Sequence, residues 1–144
     1  MTPDPRLARI VHAYETLSED TVQALVDLYA ADATFKDPFN DVSGRDAIAR
    51  IFRHMFSAVD QPRFQVREAI AQGEQAFLTW DFHCRGSVSG QVLCIHGATH
   101  LRFGADGRVI RHRDYWDAAE ELYAKQPLLG GLMRWLQRRL RAPA

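Results

Sequence analysis

The chain lacks most features that announce a specialised class. Its 144 residues hold two cysteines, Cys84 and Cys94, with no CxxC and no metal-ligand spacing. A disulfide-stapled scaffold and a cysteine zinc cage are thereby excluded, and the pair reads as buried thiols in a reducing compartment. Formal net charge is zero, so total charge offers no footprint for nucleic acid or an anionic membrane. No apolar run approaches the ~20 residues of a spanning helix. The opening stretch MTPDPRLARIVHAYE is polar and charged, unlike a secretory leader. Internal repeats and low-complexity segments are absent. These absences together give the expectation of a soluble, cytoplasmic protein.

What is present is an ordinary globular composition, with 47% hydrophobic residues, enough for one core at a common domain size. Leu7, Ile10, Val11, Tyr14 and Leu17 follow a helical face. Asp20 is the expected N-cap of a second helix, with Gln23 at the reciprocal position and Val22, Leu25, Val26 and Tyr29 on its buried face. ATFKDP reads as a short strand stopped by proline. Ser43 is the expected cap of a third helix that buries Ile48, Ile51, Phe52, Met55, Phe56 and Val59.

The rhythm then changes to period two. RFQVREAIAQG is one strand. QAFLTWDFHCRG is the next, with Leu78, Trp80, Phe82 and Cys84 on one face and Thr79, Asp81, His83 and Arg85 on an exposed one. SVSG turns the chain into QVLCIHGATHLRF, and GADG turns it into RVIRHRDYWD. Three helices before a run of short-turned strands argue α+β, an antiparallel sheet with helices on one side. Residues 1–126 form the expected domain. Residues 127–144 form an amphipathic helix with Arg134, Arg138, Arg139 and Arg141 and no acid. Three readings of this tail stay open: a cap on the domain, an extension of a dimer interface, or a helix lying on a membrane surface. A packed terminal helix is favoured over membrane contact.

YAADATFKDPF, the GRDAI helix start and a sheet ending in LRFGADGRVIRHRDYWD resemble the nuclear transport factor 2-like superfamily, and within it the ketosteroid isomerase and SnoaL-like polyketide cyclase branch. The resemblance covers about residues 6 to 118. It implies a cone-shaped α+β barrel: three N-terminal helices packed in the concave face of a strongly bent, mostly antiparallel sheet, around an apolar pocket. It also implies a homodimer through the outer sheet face. Asp37 matches the isomerases' proton-shuttling aspartate and Tyr14 their oxyanion-donating tyrosine. Thr99 stands where they keep a protonated aspartate, which is a departure. Trp116 matches an aromatic pocket wall. Asp114 lies near the acidic acid/base residue of the cyclases' last strand.

Period two on that last strand carries His112 and Ile110 to the same face as Asp114 and Trp116. Asp37, Tyr14, Thr99, Asp114 and His112 are thus the expected catalytic residues. Phe35, Phe39, Phe56, Leu78, Trp80, Phe82, Leu101 and Trp116 are the expected wall around a small hydrophobic molecule. Each has a plainer alternative: a turn at Asp37-Pro38, a core hydroxyl at Tyr14, a strand residue at Thr99, and a salt-linked surface pair at His112 and Asp114. His96 and His100, on one face with Cys94, read as surface or interface residues, with no metal expected because no convergent carboxylate is evident. The favoured function is cofactor-free proton transfer next to a carbonyl, by an isomerase or a cyclase. The alternatives are a lipophilic binding domain and a protein-interaction module.

Overall fold

The computed structural model describes residues 4–86, 90, 92–117 and 138. Helix α1 runs Pro5–Glu15. Asp4 caps it by accepting a hydrogen bond from the Arg6 backbone N–H, and Pro5 takes the first-turn position that needs no N–H. Its buried stripe is Leu7, Ile10 and Tyr14. A 3-10 turn over Glu19–Thr21 leads into α2, Val22–Val26. Ser18 and Thr21 form the capping box there, in place of the expected Asp20 and Gln23. Helix α2 ends early, and Tyr29 opens a strand instead of closing a helical face.

Strand β1 is Tyr29–Lys36 and β2 is Asp41–Ser43. Helix α3, Arg45–Ala58, is capped by Gly44 rather than Ser43. Gly44 sits at φ +93°, a left-handed conformation that glycine takes without steric cost, while its N–H donates to the Ala33 carbonyl. Val59 leaves the helical face expected for it and starts β3, Val59–Gln72. Strands β4, Gln75–Gly86, β5, Val92–Phe103, and β6, Val109–Tyr115, complete the chain's sheet.

The six strands are ordered β2-β1-β6-β5-β4-β3 in one curved, unclosed sheet. All neighbours are antiparallel except β1 and β6, which run parallel. The core lies between the three helices and one sheet face, where Leu78, Trp80, Ile95, Leu101, Phe103 and Val109 meet Ile10, Leu25, Ile48 and Phe52. Strand alternation follows the sequence pattern in β4 and fails once in β6. Arg102 pairs Arg111 but Phe103 pairs Val109, so a bulge at Ile110 shifts the facing. Val109 is buried and Ile110 is exposed, opposite to the expectation that Ile110 faces inward with His112.

Asp81 keeps its expected outward face but is not exposed there. It is 6% exposed, because Arg67 and His96 both close over its carboxylate. No disulfide joins Cys84 and Cys94. Among the described residues no helix is long and apolar enough to cross a membrane. The amphipathic helix expected over 127–144 lies, apart from Arg138, outside the described residues.

Candidate active site

Two helices and four strands converge on a small cavity. Tyr14 comes from α1, Phe52 from α3, and Phe64 and Val66 from β3. The sheet adds Leu78 and Trp80 from β4, Thr99 from β5, and His112 and Asp114 from β6. The cavity volume is about 20 Å³, close to the space one water occupies. Its wall is aromatic and aliphatic except at one end, where the polar groups gather.

At that end a hydrogen-bonded chain runs across the sheet. Tyr14 Oη and Tyr29 Oη lie 2.5 Å apart. Both reach His112 Nδ1, at 3.0 and 2.8 Å. His112 Nε2 lies 2.7 Å from Asp114 Oδ1. Thr99 Oγ1 donates to the same oxygen at 2.6 Å, and Trp80 Nε1 donates to Thr99 Oγ1 at 2.8 Å. With Asp114 ionised, its carboxylate only accepts, so Nε2 of His112 carries the proton and Nδ1 accepts from a tyrosine. Every hydroxyl, ring nitrogen and indole N–H in the chain then has a partner, as a buried polar network requires. Among the described residues none donates to Asp114 Oδ2, which leaves the lone pairs of that oxygen available.

Packing holds the network in place. Phe35 stacks on the His112 ring, with centroids 4.3 Å apart and planes at 21°. Trp80 lies against Gly97, its cross-strand partner, where a Cβ would collide with ring atoms Cη2, Cζ2 and Cζ3. Gly97 thus gives the indole its position, from which Nε1 reaches Thr99. Both tyrosines are buried, and burial is the first cause that drives their hydroxyl pKa values up. The negative charge of Asp114 pushes in the same direction. They remain neutral hydrogen-bond donors throughout the physiological range.

The expected site residues divide between this cavity and an open depression of about 560 Å³ beside it. The depression is lined by Lys36, Asp37, Pro38, Arg113, Asp114, Tyr115, Trp116 and Asp117. Tyr14, Thr99, His112, Asp114, Leu78 and Trp80 line the cavity, and Asp114 lines both spaces. Asp37 lies outside the cavity in the turn after β1. Its Oδ1 accepts from Phe39 N, Asn40 N and Asn40 Nδ2, and its Oδ2 from Asn40 Nδ2. That is a turn-forming carboxylate whose lone pairs are largely occupied. The Thr99 hydroxyl proton is committed to Asp114.

Trp116 and Phe39 meet edge to face at 5.5 Å beside the depression. Leu101 is packed in the core, Phe82 packs against Phe64 with the rings tilted, and Phe56 packs on the core margin. Tyr29 was missed from sequence because its spacing matched a helical stripe. Phe64 and Val66, alternate residues of RFQVR, carry the period-two signal that places both on one face.

The model of the SnoaL-like domain matches residues 10–112 of the chain. No curated protein matches it in sequence. Solved structures share its fold. One is a hypothetical protein with a ketosteroid isomerase-like fold from Catenulispora acidiphila, in complex with trimethylamine. It has a TM-score of 0.73 and 18% identity over 84% of this chain and 92% of that one. An NTF2-like protein of unknown function from Burkholderia pseudomallei has a TM-score of 0.73 and 18% identity over 82% and 95%. Another, from an Exiguobacterium species, has a TM-score of 0.68 and 20% identity over 78% and 98%. The family match spans well over half of the residues, and the chain, which shares the fold of these structures, belongs to the SnoaL-like domain family.

Proposed function

We propose that the protein catalyses cofactor-independent proton transfer next to a carbonyl on a small hydrophobic substrate, with Asp114 as the acid/base. The observation that carries this is the Asp114 carboxylate. One oxygen is fixed by His112 and Thr99 at 2.7 and 2.6 Å, and the other takes no hydrogen bond from a described residue. A carboxylate oriented in this way at the edge of an apolar cavity supports a general-base reading.

In the proposed step Asp114 Oδ2 takes a proton from the carbon beside the carbonyl. The C–H electron pair becomes a carbon–carbon double bond, and charge develops on the carbonyl oxygen. Tyr14, neutral and facing the cavity, donates a hydrogen bond to that oxygen. Tyr29 keeps His112 Nδ1 satisfied meanwhile, at 2.8 Å. Asp114 then returns the proton to another carbon of a conjugated enolate, which is isomerisation, or the enolate carbon adds to a second carbonyl whose developing alkoxide takes the proton back from Asp114, which is cyclisation. Asp37 takes the role of a turn residue in this scheme, and the acid/base role first expected for it moves to Asp114.

Size argues about substrate. A cavity of about 20 Å³ is far below the ~300–1,000 Å³ of drug-sized ligand pockets. The reacting end of a substrate enters at Asp114, and its body lies in the depression between Pro38 and Trp116. The cavity therefore limits the reacting end of the substrate, not its whole body, and the enolisable carbon of a small ketone suits that end. The test is solvent-deuterium exchange at the carbon beside the carbonyl, followed by NMR for a panel of small ketones with the full chain. Protein-dependent exchange supports the proposal. Saturable binding of the same ketones with no exchange at any pH between 5 and 9 would assign the chain to ligand binding instead.

A further inference from the structure

The outer face of the sheet carries a second cluster, unrelated to the cavity. Strands β4 and β5 pair Asp81 with His96 and His83 with Cys94. Residues two apart on a strand share a face, and directly paired residues have side chains a few ångströms apart. Register thus brings four metal-ligating side chains onto one patch. One ligand atom from each of Asp81, His83 and Cys94 lies within 4.8 Å of the other two. The carboxylate that the CIH stretch of β5 lacks comes from Asp81 on the neighbouring strand β4, two residues before His83.

The surroundings are those of an oriented ligand set. His83 Nε2 lies 3.3 Å from Gln65 Oε1. The amide oxygen only accepts, so Nε2 holds the proton and Nδ1 is left unprotonated, as a ligating imidazole must be. Asp81 Oδ2 is held by Arg67 Nε at 2.6 Å, and Oδ1 by His96 Nδ1 at 2.5 Å. Hydrogen bonds of this kind behind a ligating side chain fix its orientation toward a metal. Asp81 is buried, while His83 and Cys94 are partly shielded. A carboxylate and a thiolate together offset the charge of a divalent cation.

We infer that Asp81, His83 and Cys94 form a site for a borderline divalent cation of the zinc class, with one coordination position open to water or an exogenous ligand. Nitrogen, sulfur and oxygen donors in one set match that class, and calcium or magnesium would require oxygen donors throughout. Binding releases the Cys94 thiol proton. The inference is independent of the acid/base role of Asp114.

The test uses the full chain stripped with a chelator and titrated with Co²⁺, followed by displacement with Zn²⁺. The expected result is one saturable Co²⁺ with a sulfur-to-cobalt charge-transfer band, abolished by an equivalent of Zn²⁺. Cys94→Ser should remove the band, and His83→Ala should weaken Co²⁺ binding by at least tenfold. Cys84→Ser, on the inner face, should leave both unchanged. Circular dichroism checks that each variant is folded. The inference is overturned if no saturable Co²⁺ binding occurs, if the band persists in folded Cys94→Ser, or if His83→Ala binds as tightly as the parent. In those cases Asp81, Arg67 and His96 are simply an ion-pair cluster.

Discussion

His112 Nε2 stands 2.7 Å from Asp114 Oδ1, two residues along the same strand and on the same face of the sheet. The pair joins the two halves of the buried network, tyrosines on one side and Thr99 with Trp80 on the other. Its consequences can be measured separately.

The two tyrosines back each other up at His112. Tyr14→Phe leaves Tyr29 on Nδ1, and Tyr29→Phe leaves Tyr14 there. Each single change should cost about 1 kcal/mol, the net worth of one hydrogen bond. The double change strips Nδ1 of both partners and should exceed the sum of the singles by about 1–3 kcal/mol. Denaturant unfolding of the four proteins measures this. Additive losses would mean that the hydroxyls do not share the imidazole.

Gly97 should tolerate nothing larger. A Cβ there meets the Trp80 ring at less than 3 Å for all three nearest atoms. The indole cannot retreat easily, because it is packed edge-on to Phe64 and tied to Thr99. Gly97→Ala is expected to cost about 1–3 kcal/mol, the range for overpacking a filled core. It should also shift the near-ultraviolet dichroism of the tryptophans. A variant as stable as the parent with an unchanged spectrum would contradict the placement of Trp80.

Stability should fall at both ends of the pH scale, for different residues. Tyr14 and Tyr29 are held neutral in the folded state, mainly by burial, with pKa values raised above the ordinary 10. Their contribution is complete below that ordinary value and is lost as pH rises through the raised ones. At the acid end the signs reverse. Asp4 is held down to about 2, chiefly by its hydrogen bond from the Arg6 side chain. Asp81 is lowered first by His96 and then by Arg67. Stability from these pairs is present above the ordinary carboxylate value and lost as pH falls below about 4. Chemical unfolding from pH 3 to 11 checks both arms. Tyr29→Phe should flatten the alkaline arm and leave the acid arm in place.

Much of this arrangement was legible in the sequence. Period-two alternation in QAFLTWDFHCRG put Leu78 and Trp80 on the inner face, where they line the cavity. Asp114 came from the resemblance to the cyclases, and alternation on the last strand carried His112 to its face. The misses have physical causes. The bulge at Ile110 is a backbone irregularity that regular alternation cannot anticipate. Tyr29 falls at a spacing that fits a helix, but α2 stops at Val26 and the chain enters β1. Asp81 carries an outward strand position and an acidic side chain, which together read as exposed. Only the register of β3, β4 and β5 shows that Arg67 and His96 cover it. Asp37 lies in a stretch that resembles the isomerases', and its oxygens accept hydrogen bonds within its own turn, as the plainer Asp-Pro turn reading also expects.

The central claim is that Asp114, and not Asp37, moves the proton. The direct measurement is the rate of deuterium exchange beside the carbonyl of one small ketone in the parent, Asp114→Asn and Asp37→Asn. Ketone binding is measured in parallel. Asp114→Asn keeps the shape and removes the base, so exchange should fall by about 10²–10⁴-fold with binding changed less than threefold. Asp37→Asn keeps a turn-forming side chain and should exchange within about threefold of the parent. The opposite pattern, with exchange lost in Asp37→Asn and retained in Asp114→Asn, would contradict the account and return the base to Asp37.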